Sequence, residues 1–232
     1  MTRPIIARAA GATFLLFWVV KVSSSIMFEG SLGNSPAERL AAITANAGDL
    51  RIAVVLALTK CVFALVIGVL LYFYTRSSYA ELSTLVLLGR AGEAMFFGVY
   101  ALGMAALVFI ATRSTPATSD IDATLVVVIA RSTRHATLVA EFFFSVGSAA
   151  LAWVLLRARL APRYLAGLGL VGSLVPVVGM PLQLIGATTG FNTALFWVLM
   201  FAFEIALGVW LLKSGGRDPE VAQSGASSSG SA

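Results

Sequence analysis

Arg51 to Tyr74 reads RIAVVLALTKCVFALVIGVLLYFY, and this stretch decides the fold. Past Arg51 at its edge, its one charge is Lys60. About 20 mostly apolar residues in a helix cross the hydrocarbon core of a bilayer, so this segment is long enough to span. Backbone groups inside lipid must bond internally, which leaves the helix as the conformation for such a run. Working outward, five more runs of the same kind appear: Ala9–Phe28, Glu81–Ala111, Ala136–Leu156, Tyr164–Ile185 and Thr193–Leu212. The expected fold is therefore all-α, a polytopic membrane protein built as a bundle of six transmembrane helices in one domain, residues 1–213. The Gly- and Ser-rich segment 214–232 reads as a disordered cytoplasmic tail.

The composition agrees. Apolar residues make up 59% of the 232-residue chain and charged residues 12%, about half the charge of a soluble domain. Too few charges are present to cover a wet surface, which excludes soluble globular, disordered, collagen-like and disulfide-framework classes. The net charge of +5 comes without a dense basic stretch interleaved with aromatics, so nucleic acid is not an expected partner. Cys61, the one cysteine, has no intramolecular partner and reads as a small apolar residue. Arg3 and Arg8 followed by Ala9–Val20 and Ser23–Ser25 have the outline of a signal peptide. Lys21 interrupts that outline, and an uncleaved first span is the simpler reading.

The connections carry their own signals. Ser35-Pro36-Ala37-Glu38 has a cap, a first-position proline and an acid in the first turn. Leu40, Ile43 and Ala47 then recur at helical spacing, so a short amphipathic helix is expected at the interface between spans one and two. Thr75–Ala80 is a tight turn. Thr112–His135 begins polar, and its apolar stretch Leu125–Ala130 reads either as another interfacial helix or as an extension of span four. With both termini inside, Arg3, Arg8, Arg76, Arg157, Arg159, Arg163, Lys213 and Arg217 fall in short inner segments. Arg39, Arg51, Arg113, Arg131 and Arg134 are spread over two long outer loops. Positive charge gathers on the cytoplasmic side, so a multi-pass protein of the inner (cytoplasmic) membrane is expected, with both termini cytoplasmic.

Six ionisable residues fall inside spans: Lys21, Lys60, Arg90, Glu93, Glu141 and Glu204. A charge at mid-membrane costs about 2.5–3.5 kcal/mol on insertion scales, so pairing in the bundle interior is expected. Lys60 sits in a stripe with Ala53, Ala57, Ala64 and Gly68, and Glu141 in one with Ser145, Ser148 and Ala152. Small residues at such steps mark helix contacts in membranes. Arg90 and Glu93 are neighbours on one helix face, within Gly89-Arg90-Ala91-Gly92-Glu93-Ala94, where the glycines admit another backbone. Two readings fit Arg90, Glu93, Lys60, Glu141 and Glu204: a salt-bridged lock that fixes helix register, or a polar centre for a proton, an ion or a headgroup. For Lys21 a third is snorkelling to an interface.

Val175-Pro176-Val177-Val178-Gly179-Met180-Pro181 marks a kink in span five, or a broken helix of the kind that lines transporter sites. Gln183 is the strong hydrogen-bonding side chain of that span. Glu93 before Gly98-Val99-Tyr100 and Glu204 before Gly208-Val209-Trp210 form a faint internal echo. No His-Glu-x-x-His, Gly-x-Ser-x-Gly, P-loop or Cys-x-x-Cys motif occurs, and His135 is the one histidine. No catalytic residue, metal ligand or cofactor is therefore assigned.

The pattern resembles a bacterial membrane family catalogued as domain of unknown function 4386. The likeness lies in Arg8-Ala9-Ala10-Gly11, Asn46 with Arg51, Leu71-Tyr72, Arg90-Ala91-Gly92-Glu93-Ala94, and Pro162-Arg163-Tyr164-Leu165 with Gly169. It covers about residues 4–213 and implies a multi-span helical protein without supplying an activity. The reading placed first is a small membrane regulator or subunit acting through helix or lipid contacts. The second is a small-solute or proton-coupled transporter, which requires a polar cavity. The third is an intramembrane enzyme on a lipid-borne substrate, which requires two carboxyl groups facing a pocket.

Overall fold

In lipid, long helices form first and their packing is decided by side chains that avoid the hydrocarbon. The computed structural model of the chain describes residues 2–29, 35–116, 118–187 and 191–214. These residues form α1 (Arg3–Glu29), α2 (Pro36–Ala45), α3 (Ala47–Thr75), α4 (Ala80–Arg113), α5 (Ser119–Arg157), α6 (Arg163–Leu184) and α7 (Phe191–Ser214), with no strand among them. Five of the helices, α1, α3, α4, α5 and α6, are long and apolar enough to cross a membrane. The protein is thus a polytopic all-α membrane protein. The 24 residues of α7 cover the sixth expected span. Arg217 and the expected tail lie outside the described residues.

Each long helix packs on two others, in the order α1, α3, α4, α5, α6, α7 and back to α1. The six close a ring whose opposite members are α1 and α5, α3 and α6, α4 and α7. Val55, Leu58, Val62 and Val69 of α3 face outward and are exposed, as a lipid-contacting side requires. Ala53, Ala57, Lys60 and Ala64 of the same helix face inward and are buried. Gly89 of α4 meets Gly147 of α5 backbone to backbone: a Cβ on Gly89 would lie 2.6 Å from the Gly147 Cα and 2.8 Å from the Phe143 carbonyl oxygen.

The fourth span begins earlier than the sequence predicts. Its helix starts at Ser119, not near Ala136, and runs 39 residues, about 58 Å at 1.5 Å per residue. That exceeds the roughly 30 Å hydrocarbon core, so the polar residues of its first turns belong to a part projecting from the membrane. The stretch Leu125–Ala130 is an extension of the span, and Val126 and Ala130 are buried in it.

α2 docks on this projection. Ser35 Oγ accepts from the Glu38 backbone N–H at 3.2 Å while the Glu38 carboxylate accepts from Ser35 N–H at 3.3 Å, a capping box. Leu40 and Ile43 are buried, and Thr44 Oγ1 donates to the Ala111 carbonyl of α4 at 3.1 Å. The apolar side of this amphipathic helix is covered by α4 and α5 rather than left to lipid. Two apolar cores result. One gathers Phe28, Leu40, Ile43, Leu50, Met104 and Val126 near α2; the other gathers Phe14, Phe17, Tyr74, Phe144, Leu155 and Phe203 toward the opposite end.

Pro176 and Pro181 both lie inside α6, which remains one helix from Arg163 to Leu184. It ends in a left-handed turn. Gly186 has φ 75°, its N–H bonds to the Gln183 carbonyl at 3.1 Å, and Ala187 N–H bonds to the Leu182 carbonyl at 2.9 Å. This is the Schellman pattern, and it holds Gln183 in the last helical turn.

Candidate functional site

All six ionisable residues of the spans are buried. Arg90 and Glu93, one turn apart on α4, are joined at 2.8 Å from Nη1 to Oε2. The other guanidinium nitrogen, Nη2, bonds to Glu204 Oε1 of α7. Lys21 Nζ of α1 bonds to Glu141 Oε1 of α5 at 3.0 Å; it does not snorkel. The two inter-helix pairs cross the ring along two of its three diameters, α4 to α7 and α1 to α5. Gly68 of α3 makes room for the Arg90 stem: a Cβ there would sit 2.8 Å from Arg90 Cβ.

The cations are walled by aromatic faces. Arg90 Cζ lies 4.6 Å from the Phe144 ring centroid and 5.1 Å from that of Phe14. Lys21 Nζ lies 4.7 Å from the Trp18 ring. Lys60 Nζ lies 4.4 Å from Tyr100 and 4.7 Å from Phe97. A desolvated cation over a ring gains on the order of 2 kcal/mol, which lowers the cost of burial without cancelling the charge. Sequence reasoning did not assign these rings a role. Their signal is the spacing of Phe14, Phe17, Trp18 and Lys21 on one face of α1, and of Glu93, Phe97 and Tyr100 on one face of α4.

Each carboxylate gives one oxygen to a cation. The other, Glu93 Oε1, Glu141 Oε2 or Glu204 Oε2, is buried without a hydrogen-bond partner among the described residues. No three of His, Cys, Asp and Glu among the described residues gather to hold a metal.

No ion pair among the described residues crosses the third diameter, α3 to α6. A cavity of about 520 Å³ lies there, with Lys60 and Gln183 both on its wall. Trp18, Lys21 and Ser25 of α1, Phe97 and Tyr100 of α4, and Arg134 and Thr137 of α5 complete most of the lining. Val22 and Ile26 also line it while being 43% and 67% exposed, so its mouth opens beside the C-terminal part of α1. Lys60 is 2% exposed. Among the described residues it makes no ion pair, and its ammonium forms no hydrogen bond.

The six charges lie within electrostatic reach of one another, and their direct ion pairs fall into two groups. Arg90, Glu93 and Glu204 form one cluster, and Glu141 joins Lys21 rather than Lys60. Lys60 and Gln183 belong to the cavity, whereas Pro176 is buried in α6 and does not line it. Arg134 was expected in a long outer loop. It reaches the cavity because α5 is helical there, which puts Arg134, Leu138 and Glu141 on one face.

No curated protein and no solved structure matches the chain. Residues 9–215 match a family described as domain of unknown function (DUF4386), and the chain belongs to that family.

Proposed function

We propose that this membrane protein binds a small solute within the bundle, in the manner of a carrier, and that the paired charges beside the site hold the bundle in register. The observation that supports the reading is the cavity. Its volume of about 520 Å³ lies within the range of small-molecule sites, and polar groups from five helices converge on apolar walls. A regulator or subunit acting through packing alone has no use for such a space beside an unbridged Lys60. The enzyme reading has less support, because no carboxylate is among the described lining residues.

The same bundle supports an orientation with both termini in the cytoplasm, in the inner membrane. Arg3 stacks on Tyr74 at 5.2 Å and Tyr74 Oη donates to the Leu160 carbonyl at 3.4 Å. The start of α1, the end of α3 and the Arg157–Arg163 turn therefore share one end, and it carries the basic excess. The cavity then lies in the half of the bundle facing away from the cytoplasm.

Thiol labelling tests the cavity. Thr137→Cys in a Cys61→Ala background is expected to react with a membrane-impermeant sulfonated thiol reagent in proteoliposomes. Ser148→Cys, buried on the same helix, is expected to react after denaturation alone. Protection of Thr137→Cys in the folded protein would overturn the reading.

A further inference from the structure

We propose that the cavity takes an organic anion with an apolar body, its carboxylate or phosphate group held by Lys60 and its carbon chain or ring lying toward Val22 and Ile26. The proposal rests on the solute-binding reading and narrows it to a ligand class.

The charge distribution supplies the sign. Lys21 and Glu141 balance each other. Arg90 with Glu93 and Glu204 carries one formal negative charge in excess. The matching positive charge is Lys60 on the cavity wall, with Phe97 and Tyr100 ring faces against it; Glu141 and Glu93 lie within its electrostatic reach, and neither bonds to it. A 2% exposed ammonium with no carboxylate bonded to it among the described residues favours an anion entering the space. The walls supply the rest of the class. Trp18, Val22, Ile26, Phe28, Phe97 and Leu138 present apolar surface, so an inorganic ion would leave most of the cavity uncompensated. The exposed Val22 and Ile26 put the mouth at the outer rim of the bundle beside the C-terminal part of α1, where an anion can come from the lipid or from water.

The test uses the full-length protein in neutral phosphatidylcholine nanodiscs, with tritiated octanoate in a proximity assay. Saturable binding is expected, competed by unlabelled octanoate but not by octylamine or octanol, and only weakly by inorganic phosphate. Lys60→Gln is expected to weaken it by about tenfold or more, the worth of one charge-assisted hydrogen bond, and Lys60→Arg to retain it. Should Lys60→Gln fail to fold, Val22→Trp, which fills the mouth from the lipid side, is expected to abolish binding on its own. Nanodiscs containing phosphatidic acid that displace octanoate identify a lipid source; unaffected binding identifies a water-borne acid. Octanoate binding that is unsaturable, or that both variants leave intact, overturns the proposal. So does equal competition by octylamine or by inorganic phosphate. If Thr137→Cys is labelled but no octanoate binds, the ligand class is wrong and the cavity reading stands; if Thr137→Cys is protected, both fall.

Discussion

Glu141 has one ion-pair partner among the described residues, Lys21, and both side chains are buried. Breaking such a pair from one side leaves a buried charge alone, at a cost of about 3–5 kcal/mol. Glu141→Gln is therefore expected to lower the unfolding midpoint sharply in mild detergent, measured by heating with size-exclusion detection. Lys21→Met with Glu141→Leu is expected to recover most of that loss, because the pair itself adds little over apolar packing. A single variant as stable as the double would show that the pair is not a lock. At this scale the sequence shows which charges turn inward, because small residues repeat beside Lys60 and Glu141. It does not show their partners. Lys21 and Glu141 are 120 residues apart and Arg90 and Glu204 are 114, and only the ring order brings them together. Arg90 with Glu93 was legible because the two share a helix turn.

α5 is where local signals and structure part furthest. Its start was hidden because Arg131, Arg134 and His135 interrupt the apolar pattern, and a polar break reads as a loop until the helix is known to leave the membrane. Its end shows a local strain. Arg159 has φ 54°, and Leu160 N–H bonds back to the Leu155 carbonyl at 3.0 Å, so a non-glycine residue occupies the left-handed position of a helix stop. That conformation costs an L-residue about 1–2 kcal/mol, and glycine returns part of the gain through its freer unfolded state. Arg159→Gly is expected to raise stability by up to about 1 kcal/mol, read as a higher midpoint in the same detergent. A lower midpoint would mean that the Arg159 side chain contributes more than its backbone costs. α6 carries two prolines that the sequence reads either as a kink or as a broken helix. It stays one helix, with Pro176 buried among its neighbours.

For the whole molecule, the polytopic class was legible from hydropathy and the basic excess of the short segments. The ring order and the cavity were not, since both depend on which helix faces which. The orientation is open to direct test. Alkaline phosphatase fused after Lys213 is expected to be inactive and a fluorescent protein there bright, with the reverse for fusions in the α4–α5 connection near Thr115. Active phosphatase after Lys213 would invert the bundle and turn the cavity toward the cytoplasm. The closure of the ring by α7 also sets an order of assembly. The ribosome delivers Arg90 and Glu93 early, and Glu204 arrives with the last helix. Until then the guanidinium has half its carboxylate shell, and α1 and α6 have no wall between them. The pairing of Arg90 therefore stays half made until α7 inserts, and α7 is the clasp of the ring.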